Sequence, residues 1–310
     1  MNPAPSSTWF TAAPHWQWLI VLYFFIGGLA GGCYFLAALM DLIGRPEERP
    51  LARLGYYSAF SCVVLSGIVL SLDLGRPLRF WHMLIESNTY RPMFKYWSPM
   101  SIGAWALLVF GLFSFLSLLG ALAEDDRIRW PALRTISARW PALRKLRAPS
   151  ALGRVIAVLG AIFGIYVAGY TGVLLAVTNR PIWSDTPLIG MLFVVSAAST
   201  SAALMILLGY RFGGAMPGLA NLHRMDDWVV ALELLVLIVV MVSLGPVFRA
   251  WLNAWGLLLL LAIVLGMLVP LILSWRGRQL RQLNMATARV LVLLGGFLLR
   301  VVIIFSSESI

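Results

Sequence analysis

The sequence predicts an all-α polytopic membrane protein, with eight transmembrane helices in a helical bundle and both termini periplasmic. Three observations predict it. First, 60% of the 310 residues are hydrophobic and 12% are charged, half the roughly 25% of a soluble domain. Second, the apolar residues form continuous runs of about 18 residues or more, enough to cross a hydrocarbon core. Their continuity excludes an outer-membrane barrel, whose strands alternate. Third, the basic residues are distributed asymmetrically over the connections between these runs.

The runs are expected at about 16–43, 54–75, 97–123, 152–178, 187–210, 227–244, 252–275 and 287–305, one integral membrane domain over 1–310. The first contains Gly27 to Gly32, GGLAGG. Two overlapping GxxxG spacings there favour close helix packing, with a backbone opening for a flat ring as the sharper option. The second carries Asp73 about one turn before its end, and Gly75 and Pro77 then break the helix. With the N-terminus outside, 17 of the 24 Lys and Arg residues fall on the inner side. The positive-inside rule then puts both termini outside, which in a bacterial inner (cytoplasmic) membrane, the expected location, is the periplasm. Met1 to Pro14 lack a basic stretch, so no cleavable signal peptide is expected. Between the third and fourth runs RWPALR occurs twice, at 129–134 and 139–144. Its Trp and Arg suit a segment lying on the inner leaflet, against membrane lipid.

The net charge of +11 is therefore a topological signal, and no nucleic-acid partner is expected. Cys33 and Cys62 both lie inside apolar runs without a CxxC neighbour. An iron–sulfur cluster usually takes four thiolates, so none is expected in this chain, and both cysteines read as small apolar packing residues. The three histidines, His15, His82 and His223, are not paired at one depth within helices, so no haem is expected. No cluster has metal-ligand spacing, so no metal is expected either.

Ionisable groups within membrane segments are costly and invite a functional reading. At the outer level the sequence gathers His15 and Gln17 from the first run, Asp73 and Arg76 from the end of the second, and Tyr170 from the fourth. His82, Arg180 and Trp183 lie in the loops beside them. Donors and a carboxylate beside a lipid-facing opening suit a quinone, whose carbonyls need hydrogen bonds and whose reduction needs two protons. A second polar set begins the sixth run, with His223, Arg224, Asp226 and Asp227, and Glu233 lies ~9 Å deeper at 1.5 Å per residue. Glu233 is either a proton-transfer residue or a structural ion-pair partner, with Arg300 of the eighth run as its counter-ion.

Six stretches carry a family resemblance: YFFIGGLAGG (23–32), LDLGRPLRFWHM (72–83), SPMSIGAW (98–105), GYTGVLLAVTNRPIW (169–183), LHRMDDWVVALELL (222–235) and LLRVVIIFS (298–306). On these the chain resembles the NrfD / polysulfide-reductase membrane-subunit family over nearly its whole length. The resemblance implies eight helices and a membrane-anchoring, quinone/quinol-reactive subunit of a respiratory oxidoreductase. Menaquinone or ubiquinone is the implied exchangeable cofactor. A ferredoxin-like four-cluster iron–sulfur subunit is the implied partner on the periplasmic face, with a molybdopterin or multihaem cytochrome catalytic subunit beyond it. Tyr170 matches the tyrosine that contacts the quinone head group in the polysulfide-reductase branch. Gln17 falls near that branch's histidine, with His15 two residues away. Asp73 and Arg76 match the acid and base of the DLGRP stretch, and Glu233 matches an acidic position of several relatives. The ending FSSES departs from the small-Gly-Gln ending of many relatives. Two other readings stand beside this one: a proton-translocating module using Glu233, and a passive membrane anchor without a quinone site.

Overall fold

In apolar surroundings a backbone must satisfy its own hydrogen bonds, and a helix does so within one segment. The computed structural model describes residues 16–124, 141–213, 218–276 and 282–308, and among these there is no strand beyond a single bridge between Ile85 and Pro92. The helices are α1 (Trp18–Leu42), α2 (Arg49–Asp73), α3 (Pro99–Glu124), α4 (Ala151–Ala176), α5 (Ile189–Gly213) and α6 (Leu219–Ser243). The last two spans are built from α7 (Ala254–Ile263), which runs through a π turn at Val264–Leu268 into α8 (Val269–Arg276), and from α9 (Gln282–Glu308). Seven segments are long and apolar enough to cross a membrane. An eighth is obtained when α6 is joined to the short helix Gly245–Trp251, to which it is bent by 109°. The protein is a multi-pass membrane protein.

Two helices begin well before hydropathy alone indicates. α6 starts at Leu219 rather than near 227, and α2 at Arg49 rather than near 54. The reason is the same in both. Charged residues in the first turns are neutralised inside the protein, so the helix continues where the apolar run stops. Arg289 of α9 pairs with Asp226 and Asp227 of α6, and Arg49 of α2 pairs with Glu124 of α3.

α1 is the most enclosed of the spans and packs against α2, α4 and α5. Its glycines make this possible. A Cβ on Gly31 would lie 2.2 Å from the Gly164 carbonyl oxygen of α4, and one on Gly32 would lie 2.3 Å from Ser201 Oγ of α5. The two residues thus admit two different helices on two sides of α1, the close-packing use of such a motif. Cys33 and Cys62 are free, and Cys33 is fully buried in this contact region.

Both described chain ends lie at one end of the bundle, called the near end below. Trp16 stacks on Trp183 at 5.0 Å, Trp18 meets Phe305 edge-on at 4.7 Å, and Trp183 Nε1 donates to the Ile303 carbonyl at 2.7 Å. At the far end, Arg147 is the anchor. Its Nε and Nη2 grip both oxygens of Asp41 at 2.5 and 2.6 Å, and its Nη1 reaches Glu124 Oε2 at 2.8 Å. Burial opposes its charge, but the Asp41 and Glu124 carboxylates outweigh that and hold its pKa above the ordinary arginine value. One side chain thereby ties α1, α3 and the entry to α4 together. Arg49, Arg147 and Arg289, counted in the sequence as cations of the inner side, are thus ion-pair partners within the bundle. Of the RWPALR repeats, residues 125–140 lie outside the described residues. The end of the second copy belongs to a 3-10 turn over Pro141–Leu146.

Candidate functional site

At the near end a tyrosine pair sits below the helix ends. Tyr23 is five residues into α1 and Tyr170 six residues before the end of α4. At 1.5 Å per residue both are about 7–9 Å below the ends of their helices. Both are buried, and their hydroxyls are hydrogen-bonded to each other. The Tyr166 ring, one turn earlier on α4, stacks parallel on Tyr170 with centroids 5.8 Å apart and 5° between the planes. Gly103 of α3 makes room for this arrangement, because a Cβ there would lie 2.2 Å from Tyr170 Cε2. Three helices thus set one ring in place, and on the Tyr23 side Phe24 packs on Tyr23 at 5.7 Å and on Trp16, which stacks on Trp183.

Tyr166 also lines an outward-opening groove of about 480 Å³ between α3 and α4, roofed by Pro92 and Phe94 of the loop before α3. The near end therefore offers two buried hydroxyls, a stacked aromatic wall and an apolar approach. Hydroxyls in such a dry place can donate to a carbonyl oxygen and accept from a hydroxyl.

The structure treats the residues expected at this level unequally. Tyr170 is in the pair. Gln17 is the residue before α1 and is exposed, with no capping bond from its side chain. Asp73 is the last residue of α2 and half-exposed, and Arg76 is exposed in the turn after it. Neither bonds to Tyr170. His82 packs on Trp81 at 3.9 Å. His15 lies outside the described residues. Tyr23 was not among the expected site residues. Its signal was available in the sequence: a tyrosine at the same depth in the first span as Tyr170 in the fourth.

A second polar centre lies mid-bundle. Ser199 of α5 donates to Glu233 Oε2 at 2.5 Å. Arg300 Nη1 donates to Ser196 Oγ at 3.1 Å and to the Gly296 carbonyl at 2.7 Å. Its guanidinium lies over Phe25 and Phe193, 5.4 and 5.3 Å from the ring centroids. Glu233 and Arg300 are thus joined through the serines of α5 rather than by a direct ion pair. Glu233 Oε1 is buried without a hydrogen-bond partner, as is Asp226 Oδ1 one layer towards the far end.

In that far-end layer Arg289 bonds Asp226 and reaches Asp227 at 3.1 Å. Its Nη2 also lies 3.0 Å from His223 Nδ1. A guanidinium only donates, so Nδ1 accepts and the ring proton sits on Nε2, which donates to Tyr210 Oη at 2.7 Å. Both nitrogens of His223 are therefore engaged by protein groups. Among the described residues no group of three or more His, Cys, Asp or Glu side chains could hold a metal ion.

The family model for "Polysulphide reductase, NrfD" matches residues 10–310. A polysulfide reductase chain from Wolinella succinogenes is 25% identical over 281 residues, covering 82% of this chain and 84% of that protein. Protein NrfD of Escherichia coli is 25% identical over 318 residues, covering 94% and 95%. A selenate reductase subunit from Mesobacillus selenatarsenatis is 24% identical over 223 residues, covering 66% of this chain and half of that longer protein. With the family model matching almost end to end, the chain belongs to the NrfD polysulphide reductase family.

Proposed function

We propose that this chain is the membrane-anchoring, quinone-reactive subunit of a multi-subunit respiratory oxidoreductase. It exchanges electrons between the quinone pool and an iron–sulfur partner docked at the near end, the periplasmic side by the positive-inside count. The observation that carries the reading is the buried Tyr23–Tyr170 hydroxyl pair, one stacked ring away from an apolar groove. The relatives named as reductase subunits support the class of complex.

The donor set fits a quinone. Two adjacent hydroxyls match a carbonyl oxygen, and a parallel aromatic ring matches a flat ring system. A quinone bound there supplies two-electron, two-proton redox chemistry. Tyr170 and Tyr23 orient the carbonyl and hold a proton at their hydroxyl oxygens. The Tyr166 ring and the Trp16–Trp183 stack keep bulk water away. Asp73, half-exposed at the end of α2, is the carboxylate through which protons enter or leave. The exposed residues after it provide a docking surface for the partner: Arg76, Arg79, Arg91 and Lys95 stand among Leu78, Tyr96 and Trp97. The catalytic subunit beyond the iron–sulfur partner, a molybdopterin or multihaem protein, carries the terminal substrate.

The test is quinol-dependent reduction of the partner's clusters in membranes, comparing wild type with Tyr170→Phe and Asp73→Asn. Co-purification of the partner reports assembly. Loss of rate with assembly intact is expected. Unchanged rates in both variants would refute the site and favour a passive anchor.

One observation favours a second role for the same chain. Buried carboxylate oxygens without a partner at Glu233 and Asp226 share one face of α6, seven residues apart. This arrangement suits a proton-translocating module that runs alongside quinone chemistry.

A further inference from the structure

At the far end a second groove, of about 340 Å³, opens between the last turns of α1 and the first turns of α6. Its chemistry changes with depth. Leu36 and Leu39 of α1 and Leu222 and Met225 of α6 line the deeper part, and Glu48 and Asn221 stand at the rim. From Leu36 to Ile43 this wall of α1 runs about 10 Å towards the helix end, at 1.5 Å per residue. The rim is a formed acceptor. Asn221 Nδ2 donates to Glu48 Oε1 at 3.0 Å, and the Arg45 backbone N–H donates to Oε2 at 3.3 Å. Gly218, at a φ of +87°, gives this side chain room, since a Cβ there would lie 2.8 Å from Glu48 Cγ. The two bonds use about half of the roughly four lone-pair sites of a carboxylate. Asp41, Glu124, Asp226 and Asp227 are each paired with an arginine, but no ion pair among the described residues involves Glu48. A carboxylate only accepts, so this rim does not suit the carbonyls of a quinone. It suits a cation that carries N–H donors. Arg45, exposed beside it, offers a positive charge to a phosphate.

We propose that this groove seats an aminophospholipid of the far-end leaflet, the inner one by the positive-inside count. The ethanolamine ammonium donates to Glu48, the phosphate meets Arg45, and one acyl chain lies along Leu36 and Leu39, where each buried methylene is favourable. The change from polar rim to apolar depth along α1 is that of a lipid held with its head at the surface. The site lies at the opposite end of the bundle from the tyrosine pair and does not depend on the quinone reading. The Glu48–Asn221 contact joins the α1–α2 turn to the start of α6 across 173 residues of chain. A lipid bound there fastens these two segments together.

The experiment uses the full chain, purified and delipidated in detergent, with native mass spectrometry reporting bound lipid through a titration. The probes share dioleoyl chains and differ in the head: phosphatidylethanolamine, its N-methyl and N,N-dimethyl forms, phosphatidylcholine and phosphatidylglycerol. Choline keeps the positive charge but has no N–H to donate. For wild type the Kd is expected to rise in steps with methylation, reaching about tenfold for phosphatidylcholine, the scale of a lost charge-assisted hydrogen bond. Glu48→Gln should bring the ethanolamine and choline lipids to within about twofold of each other. Leu39→Trp, which fills the apolar part, should weaken every probe and preserve their order. The methylation series is read on wild type, so the proposal stays falsifiable even if Glu48→Gln fails to fold. The ammonium seat is overturned if wild type binds all heads alike, which would make the groove a plain acyl slot. It is overturned equally if phosphatidylglycerol binds best, or if Glu48→Gln keeps the ethanolamine preference. Unchanged ethanolamine-lipid binding in Leu39→Trp would put the lipid elsewhere and refute the groove.

Discussion

Replacing Arg147 by Met should cost this protein more stability than any other single change at the far end. The Arg147 and Asp41 side chains are 1% and 0% exposed, so neither can turn to solvent when its partner is lost. Met fills much of the volume but leaves Asp41 as a buried carboxylate that has lost its Arg147 counter-charge, while Glu124 keeps Arg49. Breaking such a pair by removing one member costs about 3–5 kcal/mol. For a chain of this size a kilocalorie corresponds to roughly 2 °C in Tm, so the expected drop is roughly 6–10 °C. The assay is thermal unfolding of the detergent-solubilised protein at neutral pH, followed by tryptophan fluorescence. The double variant Arg147→Met with Asp41→Leu removes both charges and should recover most of the loss, as an apolar pair can replace a buried ion pair. A single-variant drop below about 2 °C, or a double variant no better than the single, would refute the reasoning.

Two further outcomes are expected. Gly31→Val should prevent α1 from seating on α4, since the new Cβ meets a backbone oxygen that cannot step aside. Gly67→Ala in α2, where nothing lies within 4 Å of the new Cβ, should be neutral or stabilising by up to about 1 kcal/mol. Comparable accumulation of both variants in membranes would contradict the packing account. Glu233→Gln keeps an acceptor for Ser199 and should leave the fold intact. In proteoliposomes with the assembled complex it should abolish proton movement while quinol oxidation persists, and proton movement unchanged in this variant would remove Glu233 from any such path.

Much of this protein is legible in its sequence because the bilayer is a simple solvent. Long apolar runs must become helices there, so the number and approximate position of the spans followed from hydropathy. Glycine spacing in the first span likewise indicated close packing, and the DLGRP and YTG stretches indicated the family. Hydropathy failed where charge is neutralised internally. It placed the starts of α2 and α6 too late, because it could not see that Arg49 meets Glu124 and that Arg289 meets Asp226 across 63 residues of chain. It read Arg147 as a marker of sidedness, when its guanidinium is spent on Asp41.

The site shows the same division. The sequence singled out Tyr170 and put Asp73 and Arg76 at its level, because depth along a helix follows from residue count. Rotation about the helix axis and neighbour identity do not. Only the tertiary structure decided that Tyr170 faces Tyr23 through the gap at Gly103, that Asp73 and Arg76 stay at the surface, and that Glu233 and Arg300 communicate through serines of α5. The physical reason is that a solvent selects which residues are buried and how deep. Which buried residues touch is selected by packing, through the shapes of side chains far apart in the chain.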